Sequence, residues 1–562
     1  MKKLILILTA AVFAASCSDN LEDLNKNIKD PTAVSGESLF ASAQKQLADQ
    51  ITTPNVNLNN HRLWAQQWQE TTYPDESNYD QATRPIPDNH WREMYRDVLR
   101  DLKEASTNID AADNDITNEL KPNKLAIIEV LNVYAYSNLV ETFGNVPYSE
   151  ALDIDNLLPK YDDGLTIYKD LIARLTAAIN SMDTSKGSFT SASDKVYGGD
   201  VASWKKFANT LKLRMGITLA DVDGAASKAA VESAVASGVF TSNGDDAGYA
   251  YTAAPNGNPV NDNLVLSNRN DYVAATTLVN MMNNTHDPRR SVYFNGKVDF
   301  EYEFDPTDPD VGFPVASVST AGTVTTITFA RTLDNPPAIG DDVSRQVKDN
   351  PNVLLGTALN VTANTIEIDN ILDTVAVGDG IAILSYVGGV IGEQTVYSRF
   401  SHVTPSILGG NYPGYLLSYV ETEFLLAEGA ARGYSVGGDA ESHYVAGITA
   451  SFDFWGADDL AGYLANPAVV YNSATWKESI GTQAWLGLYN RTFASWLSLR
   501  RLDFPVLVEP KKAESGYPVR YPYPVSEINL NGSNYDEAAS AIGGDKTETK
   551  LFWDKFDNTW GF

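Results

Sequence analysis

The sequence predicts a mostly α-helical chain of tetratricopeptide-like helix pairs, with irregular loops and one β-rich insertion. Three observations carry this. First, apolar residues recur at helical spacing in several stretches of roughly 18 residues joined by short connections. Trp91, Met94, Tyr95, Val98, Leu99 and Leu102 mark one stretch; Trp204, Phe207, Ala208, Leu211, Leu213 and Met215 mark another. Second, β-branched runs at 315–318, 325–332, 365–368 and 381–386 cluster between Gly, Asp, Asn and Pro. Third, 562 residues with 43% apolar content can form a large core without crosslinks, and a single cysteine allows no internal disulfide.

That cysteine, Cys17, organises the amino terminus. Lys2-Lys3, an apolar run from Leu4 to Phe13, and Ala14-Ala15-Ser16 form a signal peptide over 1–16. The run is too short to span a bilayer. A cysteine just after the cut offers an amine and a thiol for acylation, so Cys17 is the expected lipidation site. Residues 17–35 are polar and broken at Asp30-Pro31, as a tether would be.

A first helical part spans 36–296. A helix is expected at 36–51. Residues 52–88 carry Pro54, Pro74, Pro85 and Pro87 and read as loop, with a short helix around Trp64 and Trp68. Helices follow at 89–106, 123–142 (stopped by Gly144), 162–181 and 201–220. The β-rich insertion occupies 297–395. A second helical part, 396–562, carries helices at 416–432, 438–451 and 474–500.

Charge narrows the partners. Against 42 Lys+Arg stand 72 Asp+Glu, a net charge of −30 that repels nucleic acid and anionic headgroups. Ten Trp and 28 Tyr supply flat amphipathic faces for a core, for sugars or for peptides. Five His form no metal-ligand pair. Gly433-Tyr434-Ser435-Val436-Gly437 fits the nucleophile-elbow pattern, but it follows a helix where that motif needs a strand. Gly433 is expected to cap the helix instead. No catalytic residue and no cofactor are therefore expected. The acidic run with Asp305, Asp308 and Asp310 offers carboxylates for a structural calcium, although its prolines favour a solvated, turn-rich linker.

Several segments in order resemble the SusD/RagB family of nutrient-binding outer-membrane lipoproteins of Bacteroidetes. They are 141–153 (ETFGNVPYSEALD), 194–217, Asp287-Pro288-Arg289, 419–434 (YVETEFLLAEGAARGY), 480–506, 519–539 and 550–557. The resemblance implies a SusD-like fold of four tetratricopeptide-like helix pairs. It implies cell-surface capture of a polysaccharide or oligosaccharide, or less often a peptide. It also implies an outer-membrane location through the lipid anchor, and a SusC-like TonB-dependent transporter as partner. The insertion departs from the pattern, in a region that often borders the ligand site.

A neutral glycan is held by aromatic platforms and well-placed polar groups. The richest cluster is His61 to Trp68, continuing to Tyr73, Tyr79 and Arg84. From it Trp64, Gln67, Trp68, Tyr73, Tyr79 and Arg84 are expected at the ligand. Arg269, Asp271 and Tyr272 form a second cluster, and Tyr293, Tyr302 and Tyr412 are further candidates. Three functions compete: a glycan-binding subunit of an import complex, a peptide-binding subunit of the same kind of complex, and a surface glycoside hydrolase.

Overall fold

Acidic and hydroxyl residues start the helices where their side chains can accept from exposed first-turn amides. This is a computed structural model, and it describes residues 34–555 apart from 113–114, 253, 303, 306–307, 334–335, 348–350 and 370. Helix α1 (Gly36–Thr52) is capped by Ser35, which accepts from the Ser38 amide at 3.1 Å. A continuous helical path then runs through Ile86–Arg92, Glu93–Leu99 and α2 (Arg100–Ala111), the middle stretch being π-helical. Next come α3 (Asp115–Phe143), α4 (Gly164–Ser181), α5 (Val201–Thr218) and α6 (Gly224–Ser237). Asp163, Asp200 and Asp223 cap the last three. Such a cap stabilises a helix by about 1 kcal/mol.

Helices α1 and α2, α3 and α4, and α5 and α6 pack as pairs. After the insertion, α7 (Tyr419–Ala431) pairs with α8 (Ala440–Trp455), and α9 (Trp476–Gly487) packs on α10 (Thr492–Leu502). Gly144 ends α3 at φ +93° and Gly433 ends α7 at φ +81°, a backbone region that glycine enters without strain. At α7 the Gly433 and Tyr434 amides donate to the Ala430 and Gly429 carbonyls, both at 2.9 Å, which is a Schellman stop. Ser435 therefore follows a helix cap and not a strand.

Two expectations change. The helix expected over 474–500 is broken, with Asn490 at φ +60° between α9 and α10. Helix α6 was absent from the sequence reading, because its run of alanines lacks the large apolar residues that mark a buried face. Lipidation at Cys17 lies outside the described residues. The side chains of Asp305, Asp308 and Asp310, where calcium was considered, also lie outside them. Among the described residues no His, Cys, Asp or Glu group could hold a metal, and no helix is long and apolar enough to cross a membrane.

Two short strands, β1 (Trp68–Glu70) and β2 (Tyr272–Ala274), pair antiparallel within the helical body. The insertion forms a seven-stranded antiparallel sheet from β3 (Val298–Glu301), β4 (Val315–Ala321), β5 (Val324–Phe329), β6 (Asp342–Arg345), β7 (Val353–Val361), β8 (Thr365–Asp369) and β9 (Ile381–Ser385). Its order is β4-β5-β8-β7-β6-β9-β3. Side chains of β5 and β8 alternate between buried and half-buried, as a one-faced sheet requires. Tyr302, just past edge strand β3, packs 5.6 Å from Phe329 of β5, so the sheet curls around one core. Buried Asp341 ties the base of the sheet together and lies 3.9 Å from Arg290 of the helical body. It accepts from Lys297 Nζ (2.7 Å), the Ala338 amide (2.8 Å) and Ser385 Oγ.

Buried ions join the helix pairs. Glu428 of α7, fully buried, receives Arg432 Nε at 3.0 Å and Arg501 Nε at 2.9 Å, while Arg432 also grips Asp221 at 2.7 and 2.8 Å. Arg289 pairs with Asp287 at 2.6 Å and donates to Ser451, Tyr463 and Gln483, linking the 287–293 turn to α8 and α9. Removing one partner of such a pair strands the other. Glu428→Ala is expected to lower unfolding free energy by about 3–5 kcal/mol in urea titration.

His90 is buried between Gln50, whose amide donates to Nδ1 (2.7 Å), and Asn138, whose carbonyl accepts from Nε2 (2.9 Å). Burial pushes its pKa down to about 4 from 6.5. The neutral ring therefore stabilises the fold fully above pH 6.5, and that contribution is lost as pH falls toward 4. The stability advantage of wild type over His90→Gln should shrink by about 3 kcal/mol between neutral pH and pH 4, read by denaturant titration at each pH.

Candidate functional site

The path to the site begins at the short helix His61–Trp64, which is buried throughout. His61 stacks against both Trp496 (4.7 Å) and Tyr521 (5.5 Å). Trp64 meets Tyr521 edge-on at 5.0 Å, and its carbonyl accepts from Tyr517 Oη at 3.1 Å. The Trp485 indole donates to the Ala65 carbonyl at 2.7 Å. Gln66 then takes φ +49°, and the chain turns into β1. Trp68 thus lies on a strand and not on the expected helix.

These contacts correct much of the expected ligand set. Trp64 has 0% exposure and cannot serve as a platform. Gln67 is spent on Ser495 (3.2 Å) and the Leu488 carbonyl (3.3 Å). Trp68 donates to Tyr489 Oη at 3.2 Å and is covered by the Arg62 guanidinium at 4.3 Å. Tyr79 accepts from Gln66 Nε2 at 3.2 Å and packs edge-on against Tyr517 at 5.8 Å. Tyr293 stacks on Tyr489 at 4.3 Å and donates to the Leu486 carbonyl. Tyr302 belongs to the core of the inserted sheet. Each has its area taken up by protein. Tyr412 is half-buried, and its carbonyl accepts from Asn258 Nδ2 at 2.7 Å. It lies apart from the residues described next.

The others converge. Register places Glu70 opposite Tyr272, and just beyond that pair the Thr71 amide donates to the Asp271 carbonyl at 2.9 Å. Residues leaving the two strands therefore emerge side by side: Tyr73 on one, Asp271 and Arg269 on the other. With Arg84 they border a notch of about 40 Å³, floored by Glu70 and the edge of Tyr272. Tyr73 is 65% exposed and Arg269 62%. Tyr272 itself is buried, anchored through its hydroxyl to the Pro54 carbonyl at 2.6 Å.

The charges in the notch are matched. Arg269 Nε meets Asp271 at 2.8 Å, and Arg84 pairs with Glu76. Glu70 accepts from the amide and the hydroxyl of Ser77, both at 2.9 Å. Burial first, and then the neighbouring Glu76 carboxyl, hold Glu70 well above the usual carboxylate range. The notch thus offers donors and acceptors beside one open aromatic ring, without a net cationic pull. Sequence reasoning missed Glu70. Its alternation with Trp68 was the available signal.

Larger clefts lie elsewhere. One of about 480 Å³ runs along α1 beside Lys45, Lys195 and Tyr249. Another of about 470 Å³ lies beside α9 near Ser479 and Thr482. Neither holds an exposed aromatic ring.

The chain is thus a scaffold of tetratricopeptide-like helix pairs that presents an aromatic notch from its loops. A sequence model of the SusD-like family, described as starch-binding and associating with the outer membrane, matches residues 27–313 and 369–524. The chain belongs to this family. The match passes over 314–368, which holds most of the inserted sheet.

Solved structures agree on the fold. A SusD homologue of Bacteroides uniformis superposes with TM-score 0.66 at 21% identity, over 92% of this chain and 99% of that one. A chitin-binding SusD homologue of Flavobacterium johnsoniae gives TM-score 0.65 at 21% identity, over 92% and 99%. A SusD-like protein of Bacteroides thetaiotaomicron gives 0.66 at 20% identity, over 93% and 99%. No curated protein sequence matches the chain.

The two aromatic environments separate in a melt. Trp64→Ala should cost about 3–5 kcal/mol of stability, whereas Tyr73→Ala should stay within about 0.5 kcal/mol of wild type.

Proposed function

We propose that this protein is a cell-surface glycan-binding lipoprotein, anchored through Cys17 in the outer membrane. It captures polysaccharide or oligosaccharide and delivers it to a SusC-like TonB-dependent transporter. It performs no chemistry of its own. The observation that supports the reading most directly, beside family membership, is the exposed ring of Tyr73 set against matched polar pairs.

A sugar's C–H face rests on Tyr73, because its positive hydrogens meet the negative face of the π-system. Hydroxyl groups, each a donor and an acceptor, exchange hydrogen bonds with the spare N–H groups of Arg84 and Arg269 and with Asp271. Arg84 and Arg269 are already neutralised by Glu76 and Asp271. A neutral glycan therefore fits better than an acidic one, in keeping with the chitin-binding relative above.

Affinity electrophoresis of the chain from Ser18 onward, in gels carrying chitin-derived, starch and acidic polysaccharides, tests this. Retardation by a neutral glycan, with the polysaccharide left at full length, is expected. Tyr73→Ala should weaken it about tenfold. No retardation in any gel would refute glycan binding, and shortening of the polysaccharide would refute the non-catalytic reading.

A further inference from the structure

The cleft along α1 departs from the charge of the chain around it. Its volume of about 480 Å³ lies in the range that encloses a small ligand, about 300–1,000 Å³. Ser38, Ser42 and Lys45 share one face of α1 and form one side. Tyr249, of the short strand Gly248–Tyr249, and Asn256 form the other, and Lys195 joins them. Acids outnumber bases 72 to 42 in this chain. The lining nevertheless holds two lysines and, among the described residues, no Asp or Glu.

Lys195 is locked in place through its backbone. Its amide donates to Gln44 Oε1 of α1 at 2.6 Å, and its carbonyl accepts from the Ala250 amide at 2.8 Å. Its ammonium donates to the Ser191 carbonyl at 2.8 Å. An ammonium carries three donors, so capacity is left over for a ligand.

The carboxylates that adjoin the cleft are taken. Asp194, next to Lys195 in the chain, is 1% exposed and turned inward. It accepts from Gln44 Nε2 (3.0 Å), the Val196 and Gly199 amides (3.0 and 2.7 Å) and the Trp204 indole (2.7 Å). Asp49 accepts from Lys45 and from Tyr251 Oη, the latter at 2.8 Å. Asp101 of α2 engages the Ser42 hydroxyl. Lys45 is therefore neutralised, whereas Lys195 has no carboxylate partner among the described residues.

We propose that this cleft is a second ligand site, separate from the notch, for a sugar unit carrying one negative charge. The charge, as the carboxylate of a uronic acid or as a sulfate ester, sits on Lys195. Ring hydroxyls exchange hydrogen bonds with the amides of Gln46 and Asn256, which both donate and accept. An amino acid fits worse, because its ammonium meets no acid on the lining. A neutral sugar forgoes the charge-assisted bond, which is about twice as strong as a neutral one. The net charge of the protein opposes anions only at long range, since salt screens it beyond about 8 Å under physiological conditions. The inference does not depend on the glycan reading of the notch.

Saturation-transfer NMR of the chain from Ser18 onward tests this, with glucuronate, glucose 6-sulfate and glucose as probes. At least one of the two anions should bind in the millimolar range, at least about tenfold more tightly than glucose, and which one binds identifies the anion. Lys195→Ala should weaken that anion about tenfold, and Lys195→Arg should hold it within about threefold of wild type. Tyr73→Ala should leave it unchanged. Equal affinity for all three probes, or anion binding unaltered in Lys195→Ala, would overturn the site. Loss of anion binding in Tyr73→Ala would move it to the notch and overturn the proposal as well. Failure of neutral polysaccharides to bind the protein would leave the anion result standing. A Lys195→Ala melting curve coincident with wild type excludes unfolding as the cause of its loss.

Discussion

The last turn of α3 is the constraint around which the two helical parts meet. A helix ends with carbonyls that have no partner within it and with a partial negative charge. Here those groups point into the protein. Arg500 donates to the Glu141 carbonyl at 2.7 Å, the Tyr521 amide to Thr142 at 3.0 Å, and Arg520 to Phe143 at 3.0 Å. Tyr523 Oη adds the Asn145 carbonyl at 2.9 Å. Residues nearly 400 positions later in the chain thus complete a helix near its beginning. Two guanidinium groups meet a helix end that favours cations, and Arg500 lies between Trp496 (3.3 Å) and Trp553 (4.7 Å).

The site inherits its geometry from that joint. The segment carrying Arg520 also carries Tyr517 and Tyr521, which hold Trp64 and His61. Those residues fix the short helix before β1, and β1 fixes Tyr73. An error at the end of α3 would pass along this path, because each link is a buried ring or a satisfied carbonyl with no slack to absorb it. The exposed end of the path carries the polar pairs, where adjustment is cheap.

Most helices were readable because they mark their own limits, whereas alanine-rich α6 and the break at Asn490 carry no such mark. Trp204 to Met215 repeat at helical spacing, and Gly144 and Gly433 stop their helices through local backbone chemistry. The aromatic residues were harder. Trp64, in a short helix expected within a loop region, looks like an exposed platform until the core that covers it is known, and that core comes from positions above 480. Its neighbours Leu63 and Ala65 hinted at burial, while Tyr73 stands among Thr71, Thr72, Pro74 and Asp75, as an exposed ring does. Bringing Tyr73 to Asp271 needs a strand pair closed across two hundred residues, and bringing Gln394 to Thr72 needs the whole insertion in place. Neither leaves a periodic trace in the sequence.

Helix α1 separates two ends of the molecule. Seventeen residues at 1.5 Å each make a rod of about 25 Å. Val34 precedes one end, and Val56, at the rim of the notch, follows the other. Any attachment made ahead of Val34, whether a natural anchor or a coupling group on a sensor chip, grips the end of the rod away from Tyr73. Whatever enters the folded body at Val34 thus enters it about one helix length from the notch.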